Sequence, residues 1–212
     1  DGLARAALEL ELPFVSGNVS LYNESATGFS IPASAIVACV GAIGNIGATL
    51  TPGLKRAGAP LFVIGNAGSS IGGTVYADLL GIENGEVPRT GYDELRAALQ
   101  LVRSAADAGV LYSCTAVAAG GTLTALARAA FASRTAGRDL GIELSGAATF
   151  DETPGFVIEV ADEERFLELA GGTPVRRVGV VLQEAHFRFG GEALALDKLY
   201  ASWSRPLAEV FP

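Results

Sequence analysis

Pro13-Phe14-Val15-Ser16-Gly17-Asn18-Val19-Ser20-Leu21-Tyr22-Asn23-Glu24 leaves a short extended piece and turns at a glycine. It then places an amide, a hydroxyl and a carboxylate within a few residues of one another. Gly17 has no Cβ and lets a ligand approach the main chain closely. Asn18 brings a neutral side-chain oxygen, a hard ligand suited to Mg²⁺. Ser20 brings a hydroxyl that can reach a phosphate or an amide oxygen. The same spacing also fits a turn in which Asn18 and Ser20 satisfy their own backbone. Residue chemistry alone leaves both readings open.

Upstream, Leu3, Ala6, Ala7 and Leu10 recur at helical spacing, so residues 1–12 read as the end of a helix that Pro13 stops. Downstream, residues 36–40 are apolar and largely β-branched and are expected to form a buried strand. Residues 41–52 are rich in Gly and Ala and mark a boundary. A strand is predicted over 61–64, followed by a glycine-rich turn over 65–73. That turn lacks the Lys-Ser/Thr ending of a phosphate loop. A helix is predicted over 92–108, with Thr90 and Asp93 at capping-box spacing and Leu95, Leu99 and Val102 as its buried stripe. Residues 110–112 read as a strand. Gly120-Gly121 precedes a helix over 123–133 that buries Leu126, Ala130 and Phe131. A strand over 156–160 leads into a helix whose first turn holds Asp162, Glu163 and Glu164, where negative charge suits the helix dipole. Strands over 178–182 and 185–189 are close enough to pair antiparallel. A last helix opens at Leu196, with Leu199 and Trp203 on one face. Helices alternate with strands, some of them adjacent, which implies an α+β layered structure with a mixed sheet.

The 212 residues carry a net charge of -8, and the mean hydropathy is +0.37. No cluster of Lys or Arg breaks the acidic balance, which argues against nucleic acid and against an anionic membrane as partners. No apolar run reaches the roughly 18 residues of a membrane span. Cys39 and Cys114 sit in small, apolar company and read as reduced, buried thiols of a cytoplasmic protein. The single histidine, His186, lies in a strand pattern and reads as structural, as do the solvated charges Glu184 and Asp197. The chain lacks Met and starts at Asp1, which points to a piece of something longer.

The segment 13–24 closely resembles one found in large-subunit-type phosphoribosylformylglycinamidine synthases. The resemblance continues at Ile31-Pro32, at Gly72-Gly73-Thr74-Val75-Tyr76, and at Phe150-Asp151-Glu152 with the strand after it. It implies the C-terminal portion of such an enzyme. Residues 1–43 would be the tail of an N-terminal-type domain, and residues 54–212 a C-terminal-type domain of the aminoimidazole ribonucleotide synthase-like superfamily. It implies an ATP-dependent, Mg²⁺-assisted, amidine-forming reaction in purine biosynthesis, with ammonia supplied by a glutaminase partner. Carried over by position, Gly17 would touch ATP, Asn18 would bind Mg²⁺ and Ser20 would touch the ribonucleotide substrate. The family's catalytic histidine and acidic metal ligands would lie upstream of Asp1, so this portion would be inactive by itself. One departure stands out. The family usually reads His-Asp-x-Ser-Asp-Gly-Gly where this chain has Thr115-Ala116-Val117-Ala118-Ala119-Gly120-Gly121. The second-half nucleotide site that such a loop would help to form is therefore expected to be degenerate.

Overall fold

The computed structural model describes residues 1–20, 24–26, 28, 30–32, 34–65 and 68–210, the side chains of Leu207 and Ala208 excepted. The chain divides into two compact units, Asp1–Ile46 and Gly47–Pro212.

In the first unit, helix α1 (Gly2–Glu9) ends four residues before Pro13. The expected strand at 36–40 does not form, and Ile36 and Val40 are 96% and 98% exposed. Phe14 and Val15 are likewise exposed and outside any strand. A β-branched apolar run becomes a strand only where a neighbour completes its hydrogen-bond ladder and covers its face. The described residues of this unit supply neither for 36–40. Cys39 is exposed with the rest of that run, contrary to its reading as a buried thiol.

The second unit is built on β1 (Pro60–Ile64). Its side chains alternate between two cores. Leu61 and Val63 face one cluster with Leu126, Ala130 and Phe131, whereas Phe62 and Ile64 face another with Leu101, Ala105 and Phe166. A strand buried on both faces reads as a continuous apolar run, which is why the sequence revealed it. The remaining strands are β2 (Leu111–Ala116), β3 (Gly141–Leu144), β4 (Phe156–Val160), β5 (Val175–Leu182), β6 (His186–Phe189) and β7 (Glu192–Ala195). They form one mixed sheet of order β2-β4-β1-β5-β3-β6-β7. Every neighbouring pair is antiparallel except β3 with β6. Helices α4 (Gly121–Thr135) and α6 (Leu196–Val210) pack on one core, and α3 (Tyr92–Asp107) and α5 (Glu163–Ala170) on the other. The layered mixed-sheet α+β architecture expected from the sequence is the one observed.

Three local expectations fail for identifiable reasons. The strands β5 and β6 do not pair with each other, because β3 lies between them. Two glycines admit β3: a Cβ on Gly141 would strike the main chain at Glu184 and His186, and one on Gly179 the carbonyl of Glu143. Of the expected α3 stripe, Val102 packs at the edge of the core, but the fully buried positions are Ala98, Leu101 and Ala105, and Leu99 is 44% exposed. Alanines let the helix backbone sit close to the sheet, and this rotates the larger Leu99 outward. The cap of α3 is Gly91 rather than Thr90, and the Glu94 carboxylate occupies the space a side chain on Gly91 would need. Helix α2 (Val75–Leu80), with Thr74 as its cap and Gly81 ending it at φ 66°, was not anticipated.

The rotated stripe of α3 is testable by urea denaturation. Leu101→Ala is expected to cost about 2–4 kcal/mol and Leu99→Ala less than about 1 kcal/mol. The reverse ranking would restore the stripe read from the sequence.

Candidate functional site

Gly17, Asn18 and Ser20 lie together on an exposed, irregular stretch of the first unit. The Asn18 Nδ2 donates to Ser20 Oγ at 3.2 Å. This bond fixes the two side chains relative to each other, and among the described residues neither is tied to the main chain. It also leaves the Asn18 amide oxygen available. Nothing lies within 4 Å of where a Cβ on Gly17 would be, so its backbone is open to approach. One neutral oxygen fits as a single ligand among the six that Mg²⁺ takes. Among the described residues no group of three or more His, Cys, Asp or Glu side chains could hold a metal ion. Any further ligands would have to come from elsewhere. Leu21, Tyr22 and Asn23 of the motif fall outside the described residues.

In the second unit, three motifs distant in sequence converge. The Tyr76 ring stacks on Phe150 with centroids 4.2 Å apart. Asp151, 3% exposed, accepts from the Ser70 N–H at 2.8 Å and the Thr153 N–H at 2.7 Å. A single Glu152 oxygen accepts from the Gly120 N–H at 2.7 Å and the Val75 N–H at 3.0 Å. Gly120 has φ 81° and Gly121 φ 67°, a region that side chains avoid. A Cβ on Gly121 would come within 2.6 Å of the Asp151 carbonyl. The stretch 70–76, the glycines at 120–121 and the Phe-Asp-Glu segment therefore form one structural unit. A cleft of about 360 Å³ opens beside it, lined by Ser70, Arg89, Thr90, Glu94, Asp151 and Thr153 among others. Ala118 and Ala119, which stand where the resembling family carries a Ser and an Asp, bring no side-chain ligand to the Gly120 turn.

Sequence reading missed Glu159. It lies on β4, wholly buried, and its two oxygens accept from the Lys55 N–H at 3.1 and 2.8 Å. One of them also takes the Arg56 N–H at 2.7 Å. Burial pushes the carboxyl above the ordinary glutamate range, against the pull of those amides, the Ser113 hydroxyl and the Lys55 charge. Burial and the nearby Arg138 push the Lys55 ammonium down, partly offset by Glu159. The signal was a carboxylate inside the otherwise apolar run Phe-Val-Ile-Glu-Val. Cys114 is half-buried, and burial drives its thiol up to about 11, so it is inert at neutral pH. His186 sits on β6 opposite Ala195, with a buried Nδ1 that has no partner among the described residues. Asp197 is not merely solvated but pairs with Arg134. No helix among the described residues is long and apolar enough to cross a membrane.

The mixed-sheet domain is of the kind found in the PurL synthases. Thermotoga maritima PurL complexed with FGAR matches it with a TM-score of 0.53 and 16% identity, over 72% of this chain and 29% of that one. The same protein complexed with ATP matches with a TM-score of 0.50 and 14% identity, over 71% and 27% of the two chains. At the level of sequence, the chain matches a C-terminal portion of phosphoribosylformylglycinamidine synthase subunit PurL over nearly its whole length. The subunit from Methanothrix thermoacetophila is 34% identical over an alignment of 229 positions that covers 98% of this chain. The chain spans about 30% of the length of that relative. No family model matches it.

Glu152→Ala is expected to speed amide exchange at Val75 and Gly120 about tenfold, the loss of one charged acceptor of roughly 1.5–3 kcal/mol shared between them. Unchanged protection there would remove Glu152 as the brace. Glu159 gives a pH signature. Its raised folded-state pKa means that its contribution is full below the ordinary glutamate range and is lost as pH rises through the raised value. The stability of the wild type relative to Glu159→Gln should therefore fall with rising pH in that window. A pH-independent difference in urea midpoints would contradict a destabilised carboxylate.

Proposed function

We propose that this chain is the C-terminal part of a cytoplasmic phosphoribosylformylglycinamidine synthase. The whole enzyme would convert formylglycinamide ribonucleotide to the amidine, using ATP and glutamine-derived ammonia. The observation that carries the reading is the match to PurL over nearly the whole chain, which includes the exposed Gly17–Asn18–Ser20 group. Residues 1–43 are read as the tail of an N-terminal-type domain and residues 54–212 as a C-terminal-type domain. The rest of the polypeptide would supply the catalytic histidine and the acidic metal ligands, and a glutaminase subunit or domain would supply ammonia.

In that enzyme ATP phosphorylates the formamide oxygen, and ammonia then displaces phosphate to leave the amidine. Such chemistry rests mostly on positioning and charge neutralisation. Mg²⁺ supplies the neutralisation when bound. Asn18 would offer one oxygen ligand through its free amide carbonyl. Gly17 would let the nucleotide lie against the backbone. The Ser20 hydroxyl, oriented by the Asn18 amide, would donate to the ribonucleotide. The second unit contributes architecture in this reading. Support for that role comes from Ala118 and Ala119 and from Glu152, which already occupies the Gly120 N–H.

The test is steady-state amidine formation by the full-length protein as Mg²⁺ is varied. Asn18→Ala is expected to raise the half-saturating Mg²⁺ concentration by about tenfold or more, on the scale of perturbed metal-site ligands. Full activity with an unchanged Mg²⁺ dependence would sink the assignment of Asn18. The 212-residue chain alone is expected to form no amidine.

A further inference from the structure

Between α4, α6 and the segment that leads into β1 lies a second cleft of about 230 Å³. It is lined by Pro52, Thr115, Arg128, Phe131, Thr135 and Trp203, among others; of the motifs above only the 115–121 stretch reaches it, through Thr115. Its floor is aromatic. Phe131 is 5% exposed, and the Trp203 ring lies 5.4 Å from it, centroid to centroid. Tyr200 flanks both rings, at 5.5 Å from Phe131 and 5.8 Å from Trp203. The indole is thus braced from two sides while 51% of its residue surface remains open to solvent. An aromatic side chain held this way presents a face at little entropic cost on binding.

The polar groups of the cleft divide cleanly. Arg134 is committed, since it pairs with Asp197 and Asp139 and lies over Tyr200. Arg128 lies on the same face of α4 as Phe131 and Thr135, is exposed, and has neither an ion pair nor a hydrogen bond among the described residues. Thr115 Oγ1 donates to the Pro52 carbonyl at 3.2 Å, and Thr135 Oγ1 to the Ala132 carbonyl at 3.0 Å. Both protons are spent, so both hydroxyl oxygens can only accept from a ligand. The lining therefore offers a stacking face, a planar cation and two acceptors.

We propose that this cleft binds a small planar anion. Its ring lies on the Trp203 indole, its acidic group meets the Arg128 guanidinium, and a ring-borne N–H donor faces the threonine oxygens. Guanidinium suits a carboxylate because its planar fork of donors matches two oxygens. The volume lies below the roughly 300–1,000 Å³ typical of drug-sized sites, which limits the occupant to about one ring with one acidic group. It is too small for a helix or strand of a partner. The net charge of -8 disfavours anions at long range, so selectivity here rests on the contact with Arg128. The proposal does not depend on the synthase reading, and its test needs neither nucleotide nor the rest of that enzyme.

Trp203 is the one tryptophan of the chain, so its indole N–H gives a single resonance. The ¹⁵N-labelled chain would be titrated with 4-aminobenzoate, which carries a ring, a carboxylate and an amine. The expected result is a saturable shift of that resonance at millimolar concentration. The affinity should weaken about tenfold in Arg128→Gln, or when the neutral 4-aminobenzamide replaces the acid, the loss of about 1.4 kcal/mol of charge recognition. Arg128 is a surface residue, so the rest of the spectrum should report an intact fold. No saturable shift up to about 10 mM would overturn the proposal, as would equal affinity for acid and amide or an unaltered affinity in Arg128→Gln.

Discussion

Asp151 and Glu152 are consecutive carboxylates, and between them they accept from four backbone amides on three separate segments. A buried ionised carboxylate without donors would cost several kcal/mol, so Asp151 can remain 3% exposed only while Ser70 and Thr153 hold it. The dependence runs the other way too. The loop before α2 and the turn before α4 supply Ser70, Val75 and Gly120 as donors. The buried Gly120 N–H would go unsatisfied without Glu152. Glycine at 121 is then obligatory, because the positive φ and the approach of the Asp151 carbonyl exclude a side chain. The apparently separate motifs are thus parts of one arrangement, with the Tyr76–Phe150 stack closing it on the apolar side.

That arrangement also accounts for how the turn at 115–121 keeps its shape without acidic side chains of its own. A glycine turn at a helix start presents N–H groups and the positive end of the helix dipole, and both favour negative charge nearby. In this chain Glu152 brings that charge from within the protein. Ala118 and Ala119 carry no side-chain ligand, and the structural demand of the turn is met by Glu152.

What could be read from the sequence follows from which forces act locally. The strands β1 and β4 are buried on both faces and announced themselves as apolar runs. The α4 core positions Leu126, Ala130 and Phe131 were correct because a helix against a sheet keeps its period whatever its partner. Leu99 of α3 faces outward while Val102 packs, because close packing against the sheet favours the alanines over the larger residue. The place of β3 could not be read, since it depends on two glycines, Gly141 and Gly179, whose significance appears only once strands from distant parts of the chain meet. Glu159 was passed over because a carboxylate in an apolar strand looks like an outward-facing residue. The backbone amides of Lys55 and Arg56 that make it an inward one lie a hundred residues away. The sequence places Asn18 and Ser20 two residues apart but does not reveal the hydrogen bond between their side chains.

The two units differ in how they are stabilised, and the difference bears on chemistry. The second buries two continuous cores about one sheet and has what a domain needs to fold. The first leaves Val15, Ile36 and Val40 more than nine-tenths exposed. Covering a side chain of that size is worth roughly 1.5–3 kcal/mol, so the three together hold several kcal/mol that the described contacts of this unit do not use. A positioning site must hold its groups to within a fraction of an ångström, and an irregular exposed segment does not do this unaided. The Asn18–Ser20 hydrogen bond is a local restraint only. If residues 13–20 position a nucleotide and a ribonucleotide, the rigidity must come from contacts beyond those described for this unit.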